Sequence, residues 1–310
     1  MDGYADLSCG GEHTLFVDRH GGLASAGLCG FFDPDSAAES LDPASLEQRA
    51  APCAVRSFVA AVARQTMPPI HKAVAGYYHS LAISRAGTLF AWGCGNFGLK
   101  NDGQLGLGPG KDESLSPREV PLPLEGDERV VDAATGCYHS AVLTSRHRVL
   151  TFGLNNYGQL GRSGITAGPV PRSPTGSTEA DTTSNYSDGV PRHVNTSPQV
   201  DVEAIGAGFY NVFQLTRGGG MLCAGSNAAR QCGSAVAPHA APTAVPELDG
   251  VALRQVTGGY CHTLTLAKDG TVFTLGCGED GQRGDGRPLE TDVVCHAIAP
   301  DSFQISLEHQ

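Results

Sequence analysis

The chain has 310 residues, 40% of them hydrophobic, and a net charge of −11 from 21 lysine and arginine residues against 32 aspartate and glutamate residues. This balance argues against direct binding to nucleic acid, because cationic contacts to phosphates supply most of that affinity. No apolar stretch reaches the about 18 residues of a membrane-spanning helix, and no signal peptide begins the chain. We therefore expect an intracellular protein, cytoplasmic or nuclear, with no membrane segment.

Residues 7–27 form the first unit of a recurring pattern. A glycine turn at Gly10 leads into an alternating strand from His13, and a second turn leads into a strand that ends at Gly27. Side chains alternate between the two faces of a strand, and glycine tolerates the backbone angles of tight turns. The unit is therefore predicted to be a β-hairpin.

The segment 31–70 interrupts the pattern, and we predict that it is a partly helical insertion. Asp42 suits a helix N-cap and Pro43 the first helical position. Four apolar residues then follow with the i, i+3, i+4, i+7 spacing of one helix face: Val55, Phe58, Val59 and Val62. Such a face either packs against the rim of the domain or contacts a groove of a partner protein, and exposure of Phe58 would separate these alternatives.

The second and third units, residues 71–108 and 132–162, are nearly identical in pattern, and both end in Gly-Gln-Leu-Gly. Between them, residues 111–129 are predicted to connect two units and to include an outer edge strand, where proline is tolerated. Residues 163–200 are polar and rich in proline, so we predict a disordered loop there.

Residues 201–284 return to the repeat, with Asn211 in place of histidine in the fourth unit. The tail, residues 285–310, contains two short apolar stretches. These are predicted to supply outer strands to the unit that opens at Leu7, which would close a ring. A smaller closed ring, an open arc completed by a partner and a truncated chain remain alternatives.

The spacing of the units predicts the architecture. Equivalent positions lie 66, 60, 72 and 51 residues apart: His13, His79, His139, Asn211 and His262. Units that hold several short strands with a two-residue period are typical of a β-propeller, whereas a solenoid of helix pairs would show a period of about 3.6. We expect residues 1–310 to form a single all-β propeller domain.

The combination Gly-x-x-His-(Ser/Thr)-x-x-Leu, a glycine turn, an aromatic residue or leucine before glycine, and Gly-Gln-Leu-Gly resembles the regulator of chromosome condensation repeat. The resemblance covers most of the chain outside 31–70 and 163–200. It implies a propeller that usually has seven blades, whereas five units are recognised here. The repeat positions are Gly10, His13, Gly76, His79, Gly93, Gln104, Gly136, His139, Gly153, Gln159, Gly208, Asn211, Gly225, Gln231, Gly259, His262, Gly276 and Gln282.

We interpret these repeated polar residues as structural. Each histidine follows a glycine turn in its own unit, so its imidazole is expected to bond a neighbouring backbone group, and each glutamine amide is expected to bridge a turn. The ten cysteines are scattered without a Cys-x-x-Cys pair. They are predicted to be free thiols, with Cys94 and Cys277 as small buried residues. We predict no catalytic, cofactor-binding or metal-binding residue.

The predicted function is that of a non-enzymatic scaffold for protein–protein interaction, with segments 31–70 and 163–200 as candidate contacts. An alternative comes from the resemblance alone. The founding member of the family is a guanine-nucleotide exchange factor for the small GTPase Ran, which implies a small GTPase as the protein partner. Exchange needs no covalent chemistry, since it depends on tighter binding of the nucleotide-free GTPase.

Overall fold

The computed structural model describes residues 3–11, 13–27, 68–94, 103–108, 113–162, 187–194, 200–233, 239–284 and 295–298. Within these ranges all regular structure is β-strand, apart from one 3-10 turn at Pro246–Leu248. The same residues contain no helix that could cross a bilayer. The strands form five separate antiparallel sheets, which confirms the predicted all-β architecture of five units.

Each sheet is one blade, and its strands follow one another in chain order. The first blade consists of β1 (Tyr4–Cys9), β2 (His13–Asp18) and β3 (Leu23–Gly27). The second consists of β4 (Ile70–Ala75), β5 (His79–Ser84), β6 (Leu89–Cys94) and β7 (Glu113–Glu119). The third consists of β8 (Val130–Thr135), β9 (His139–Thr144), β10 (Val149–Leu154) and β11 (Ser187–His193).

The last two blades have the same order. The fourth consists of β12 (Val202–Gly208), β13 (Asn211–Thr216), β14 (Met221–Gly225) and β15 (His239–Ala244). The fifth consists of β16 (Leu253–Gly258), β17 (His262–Ala267), β18 (Val272–Gly276) and β19 (Cys295–Ile298).

The burial of the second strand in each blade shows how the blades stack. Strands β5 and β9 are buried at every position, because sheets cover both of their faces. Strand β2 is buried at alternate positions beginning with its first residue, and β17 at alternate positions beginning with its second. The first blade is therefore covered only by the following blade, and the fifth only by the preceding one. Leu7 on the uncovered side is 63% exposed, so the described blades form an open arc.

Four apolar clusters fill the four interfaces between successive blades. The interface of the second and third blades, for example, buries Leu81 and Leu105 from one side and Val142 and Phe152 from the other. Because side chains of a strand alternate between its faces, each central blade contributes to two clusters. Burial of these side chains, at about 1.5–3 kcal/mol each, supplies most of the stability of the stack.

The outer strands correct two predictions. Residues Cys295–Ile298 pair with β18 and complete the fifth blade, so this part of the tail does not extend the first blade. Residues Ser187–His193 pair with β10, so the predicted loop at 163–200 was too long. Pro191 and Gly189 indicated a loop, but an edge strand need not donate every amide. The predicted outer strand between the second and third units is confirmed as β7.

Ile70, the last residue of the predicted helical insertion, begins β4, whereas residues 31–67 of the insertion lie outside the described residues. This holds also for its candidate partner contacts, Val55, Phe58, Val59 and Val62, and for residues 163–186 of the predicted loop. The helix and the disorder therefore stay predictions.

The glycines of the pattern make room for neighbouring groups. A Cβ on Gly76 would lie 2.8 Å from Cε1 of His79, because the imidazole folds back over the turn. Gly93 has a φ of +125°, and a Cβ there would lie 2.7 Å from the carbonyl oxygen of Tyr78. Only glycine satisfies both conditions without strain. This geometry explains why glycine occurs three residues before the histidine and again at the end of the third strand.

We expect Gly76→Ala to lower the free energy of unfolding by about 1–3 kcal/mol, because a methyl group must displace a buried imidazole. Gly218→Ala is the matched control, since nothing lies within 4 Å of a Cβ at that position. Urea denaturation of the two variants measures the difference. Equal stability of both variants would contradict this explanation of the pattern.

Candidate functional site

The histidines of the repeat connect one blade to the next. Nε2 of His79 lies 2.8 Å from Oγ of Ser140 in the third blade, and that hydroxyl donates to the carbonyl oxygen of Gln104 at 2.8 Å. His13 makes the same 2.8 Å contact with Ser80. We call this chain of hydrogen bonds the relay. It joins the histidine of one blade to the serine directly after the histidine of the next blade, and that serine to the Gly-Gln-Leu-Gly turn of the first of the two blades.

The relay changes where the sequence departs from the pattern. Val212 has no hydroxyl, and His139 instead donates from Nε2 to the backbone oxygen of Asn211 at 3.0 Å. Thr263 keeps its bond to the backbone oxygen of Gln231, at 2.9 Å. Among His13, His79 and His139, the prediction of a backbone partner therefore holds for His139, whereas the imidazoles of His13 and His79 reach side-chain hydroxyls across the interface.

Burial keeps these imidazoles neutral. It lowers the pKa of His13 to about 4 and that of His139 to about 4. The pKa of His79 falls to about 3, chiefly through burial and secondarily through repulsion from the other two imidazoles. A group that stays neutral down to such a pH and is enclosed between sheets suits packing better than proton transfer.

The repeated glutamines hold the turns that follow the third strands. Oε1 of Gln159 accepts from the amide of Tyr157 at 2.9 Å, and Gln231 and Gln282 make the same contact with the amide two residues before them. The glycine near the end of each of these third strands has a positive φ: Gly93, Gly153, Gly225 and Gly276.

The cysteines do not match the prediction of free thiols. Cys223 is paired with Cys232, and Cys261 with Cys277, as disulfides. Among the described residues Cys9 and Cys137 are free. A search for Cys-x-x-Cys could not find these pairs, because a fold-imposed turn brings each pair together over 9 and 16 residues.

A group of aromatic side chains lies on the loops between the first and second strands of four blades. We call it the aromatic surface: Tyr77, Tyr78, Tyr138, Phe209, Tyr210 and Tyr260. Tyr77 of the second blade reaches Phe209 of the fourth, with ring centroids 5.5 Å apart. A contact that skips the third blade places these loops around the axis of the arc.

The rings of the aromatic surface form one continuous contact network. Tyr78 stacks on Tyr138 at 5.4 Å, and Phe209 contacts Tyr210 at 4.7 Å and Tyr260 at 4.9 Å. These separations are typical of favourable aromatic pairs. The surface is thus a packed platform made by four blades.

Two rings of the platform face solvent. Tyr77 is 36% exposed and Tyr260 is 51% exposed, and both are among the few large apolar side chains at the surface of the described blades. Burial raises the pKa of Tyr138 and Tyr210 well above the ordinary range, so their phenols stay protonated and can donate hydrogen bonds. A large, rigid surface with protonated phenols can bind another macromolecule, whereas no group in it is a nucleophile or base at neutral pH.

Sequence reasoning missed the aromatic surface, although a signal was present. Five of the eight tyrosines occupy the two positions between the turn glycine and the histidine or asparagine. These positions are variable within the repeat, and only the arc shows that they meet in space.

Comparison with known proteins gives one family. Two family models, both described as the regulator of chromosome condensation (RCC1) repeat, match residues 86–143 and residues 70–99 and 130–159. These matches fall on the second and third blades, where the pattern is most complete.

Three similar proteins illustrate the range of relatives. The human probable E3 ubiquitin-protein ligase HERC6 is 30% identical over 213 residues, which are 67% of this chain but 18% of that protein. The structure of human WBSCR16 has a TM-score of 0.67 at 20% identity, covering 92% of this chain and 64% of the other. Prp20p from Saccharomyces cerevisiae has a TM-score of 0.62 at 23% identity, covering 87% and 56%. At these identities the two structures show the fold.

The buried histidines predict a loss of stability in mild acid. Their pKa values are lower in the folded chain than the ordinary value of 6.5, so the unfolded chain binds more protons as the pH falls below that value. We expect the free energy of unfolding to fall by about 1.4 kcal/mol per pH unit for each such histidine between about pH 6.5 and 4.5. His79→Asn removes one of these contributions and should make the slope shallower by about that amount.

Urea denaturation across this range measures both slopes. The fourth blade already carries asparagine at this position, as Asn211, so the variant keeps a residue that the repeat accommodates. Carboxyl groups titrate equally in the unaltered chain and in the variant, so their contribution cancels in the difference between the two slopes. Identical slopes would show that His79 is not the buried neutral group described here.

Proposed function

Because the chain belongs to the regulator of chromosome condensation repeat family, we propose that it is a non-enzymatic scaffold whose aromatic surface binds a protein partner. The observation that carries the proposal is the convergence of six aromatic side chains from four blades at the axis, with Tyr77 and Tyr260 exposed. Repeat positions elsewhere are used to hold the blades together.

The composition of the surface suits a protein interface. Tyrosine is enriched at the centres of protein interfaces, where one ring provides a large apolar contact and its hydroxyl provides a hydrogen bond. The partly buried rings of Tyr78 and Tyr210 contact the exposed rings of Tyr77 and Tyr260, and Tyr138 stacks on Tyr78. A partner that covers Tyr77 and Tyr260 would therefore contact a surface that does not need to rearrange.

Backbone hydrogen bonds keep the loops in place. The amide of Gly11 donates to the carbonyl of Gly76 at 3.1 Å, and the amide of Phe209 donates to the carbonyl of Gly259 at 2.9 Å. Each of these bonds joins the equivalent loops of two successive blades. Such preorganisation reduces the entropy that binding must overcome.

The charge of the chain indicates the chemistry of the partner. A net charge of −11 favours association with a basic protein and disfavours nucleic acid. The chain spans less than a fifth of HERC6, so the ligase activity named for that protein does not carry over with the propeller.

We expect Tyr77→Ala and Tyr260→Ala to weaken binding of the partner at least tenfold each, which corresponds to about 1.4 kcal/mol. Proteins captured by the immobilised full chain are identified by mass spectrometry, and affinity for each purified candidate is measured by calorimetry. We expect both substitutions to weaken the binding of the captured partner.

Val131→Ala is the matched control for these variants. Val131 is 38% exposed and apolar, but it lies on β8 outside the aromatic surface, so its substitution should leave the affinity unchanged. Partners that bind all variants equally would contradict the proposed site. Circular dichroism and a melting curve of each variant exclude unfolding as the cause of lost binding.

The alternative function is regulation of a small GTPase. Prp20p, which shares the fold, has described binding properties to Gsp1p and histones, and the founding member of the family acts on Ran. Exchange requires only that a rigid surface stabilise the nucleotide-free GTPase, and the aromatic surface is of that kind. The acidic balance of this chain does not favour histone-bound DNA as a further contact.

Release of labelled GDP from a panel of small GTPases tests this alternative. We expect the full chain at micromolar concentration to accelerate release from one member of the panel, and Tyr77→Ala to reduce that acceleration. No acceleration from any member removes exchange as the function but leaves the scaffold role intact, because binding and exchange are measured separately.

A further inference from the structure

The fifth blade carries a cluster that the scaffold role does not use. The sulfurs of Cys261 and Cys277 and a ring nitrogen of His262 all lie within 4.8 Å of one another, and all three residues are half-buried. Two thiolates and an imidazole are a common ligand set for zinc, with a fourth position left for water or another ligand.

The repeat itself brings the two cysteines together. The amide of Cys277 donates to the carbonyl of Cys261 at 2.9 Å, as Leu154 does to Tyr138 and Ser226 to Tyr210 in the two preceding blades. Each of these blades thus holds the same two positions side by side, but only in the fifth are both occupied by cysteine. The repeat therefore places both cysteine side chains within reach of one ligand.

Two repeat residues complete the surroundings of the sulfurs. Nε2 of Gln282 donates to Sγ of Cys277 at 3.6 Å, in the place where Gln231 donates to Ser226 in the fourth blade. Amide donors of this kind stabilise a metal-bound thiolate. His262 belongs to the last described blade, so its imidazole does not enter the relay across an interface that His79 and His139 make.

We propose that the reduced Cys261–Cys277 pair and His262 form a binding site for a thiophilic divalent cation of the zinc class. The metal-bound form and the disulfide are alternatives, since both use the same sulfurs.

The disulfide form converts into the metal-bound form in two steps, reduction and then metal binding. A thiol reductant transfers two electrons and two protons to the Cys261–Cys277 disulfide, which gives two thiols and the oxidised reductant. Binding of Zn²⁺ then forms two S–Zn bonds and one N–Zn bond and releases the two thiol protons to solvent.

The other disulfide among the described residues is an internal control. Cys223 and Cys232 are 0% and 1% exposed. Asn211 stands at the histidine position of that blade, with its amide nitrogen 3.2 Å from Sγ of Cys232. An amide nitrogen is not a ligand for zinc, so this pair lacks the third donor.

Titration of the reduced, metal-free full chain with Co²⁺ tests the proposal. We expect one equivalent to bind with thiolate-to-cobalt charge-transfer absorption and the intense visible bands of a tetrahedral site, and Zn²⁺ to displace it. Cys261→Ser and Cys277→Ser should each abolish the signal, and His262→Asn should weaken cobalt binding at least tenfold. Cys223→Ser should leave the signal unchanged.

A second measurement uses the unaltered chain, so its result does not depend on whether the variants fold. Bound Zn²⁺ should protect Cys261 and Cys277 from alkylation, as read by peptide mass spectrometry, while Cys9 stays reactive. The proposal is overturned if reduced protein gives no cobalt absorption, if Cys223→Ser loses the signal as Cys261→Ser does, or if the Cys261–Cys277 pair resists reduction in the folded chain.

Discussion

The structure depends on a polar relay inside the apolar interfaces between blades, which is complete between the second and third blades and altered between the third and fourth. An imidazole from one blade reaches a hydroxyl of the next, as between His79 and Ser140, and the hydroxyl returns a bond to the Gly-Gln-Leu-Gly turn of the first. A buried polar group without a partner costs roughly 1–3 kcal/mol, so the relay is satisfied only when neighbouring blades take one relative position. Apolar packing supplies the stability of the stack, and the relay sets the register in which the blades meet.

The same loops that position the histidines also create the aromatic surface. Six of the residues in the two positions before the histidine or asparagine are aromatic, and their rings meet where loops from four blades converge. Tyr77 and Phe209 come from blades that are not adjacent, yet their rings are 5.5 Å apart. Because the blades stack rigidly, these variable positions of the repeat together form the aromatic surface. A rigid framework that presents variable loop residues is the arrangement that a binding scaffold requires.

Departures from the repeat mark the places where this chain does something other than pack. Val212 alters the relay between the third and fourth blades, and Asn211, in the histidine position of the fourth blade, turns its amide to the backbone oxygen of Ser226 within its own blade. Cys261 and Cys277 stand where the third blade has Tyr138 and Leu154 and the fourth has Tyr210 and Ser226. Among the described residues, the outer faces of the first and fifth blades are a third departure, since no other described blade packs on them.

The pattern of residues by itself determined the number of units, the strand-turn-strand order and the positions that require glycine, because alternation and turn geometry are local properties of the chain. The structural role of the histidines also follows from their recurrence, but not the identity of their partners, which lie in another blade. Only the tertiary structure decided that the tail completes the fifth blade, that a proline-containing segment forms the edge strand Ser187–His193, that two cysteine pairs meet, and that tyrosines from separate units share one surface. Each of these depends on which segments the stacked blades bring together, and no short-range pattern carries that information.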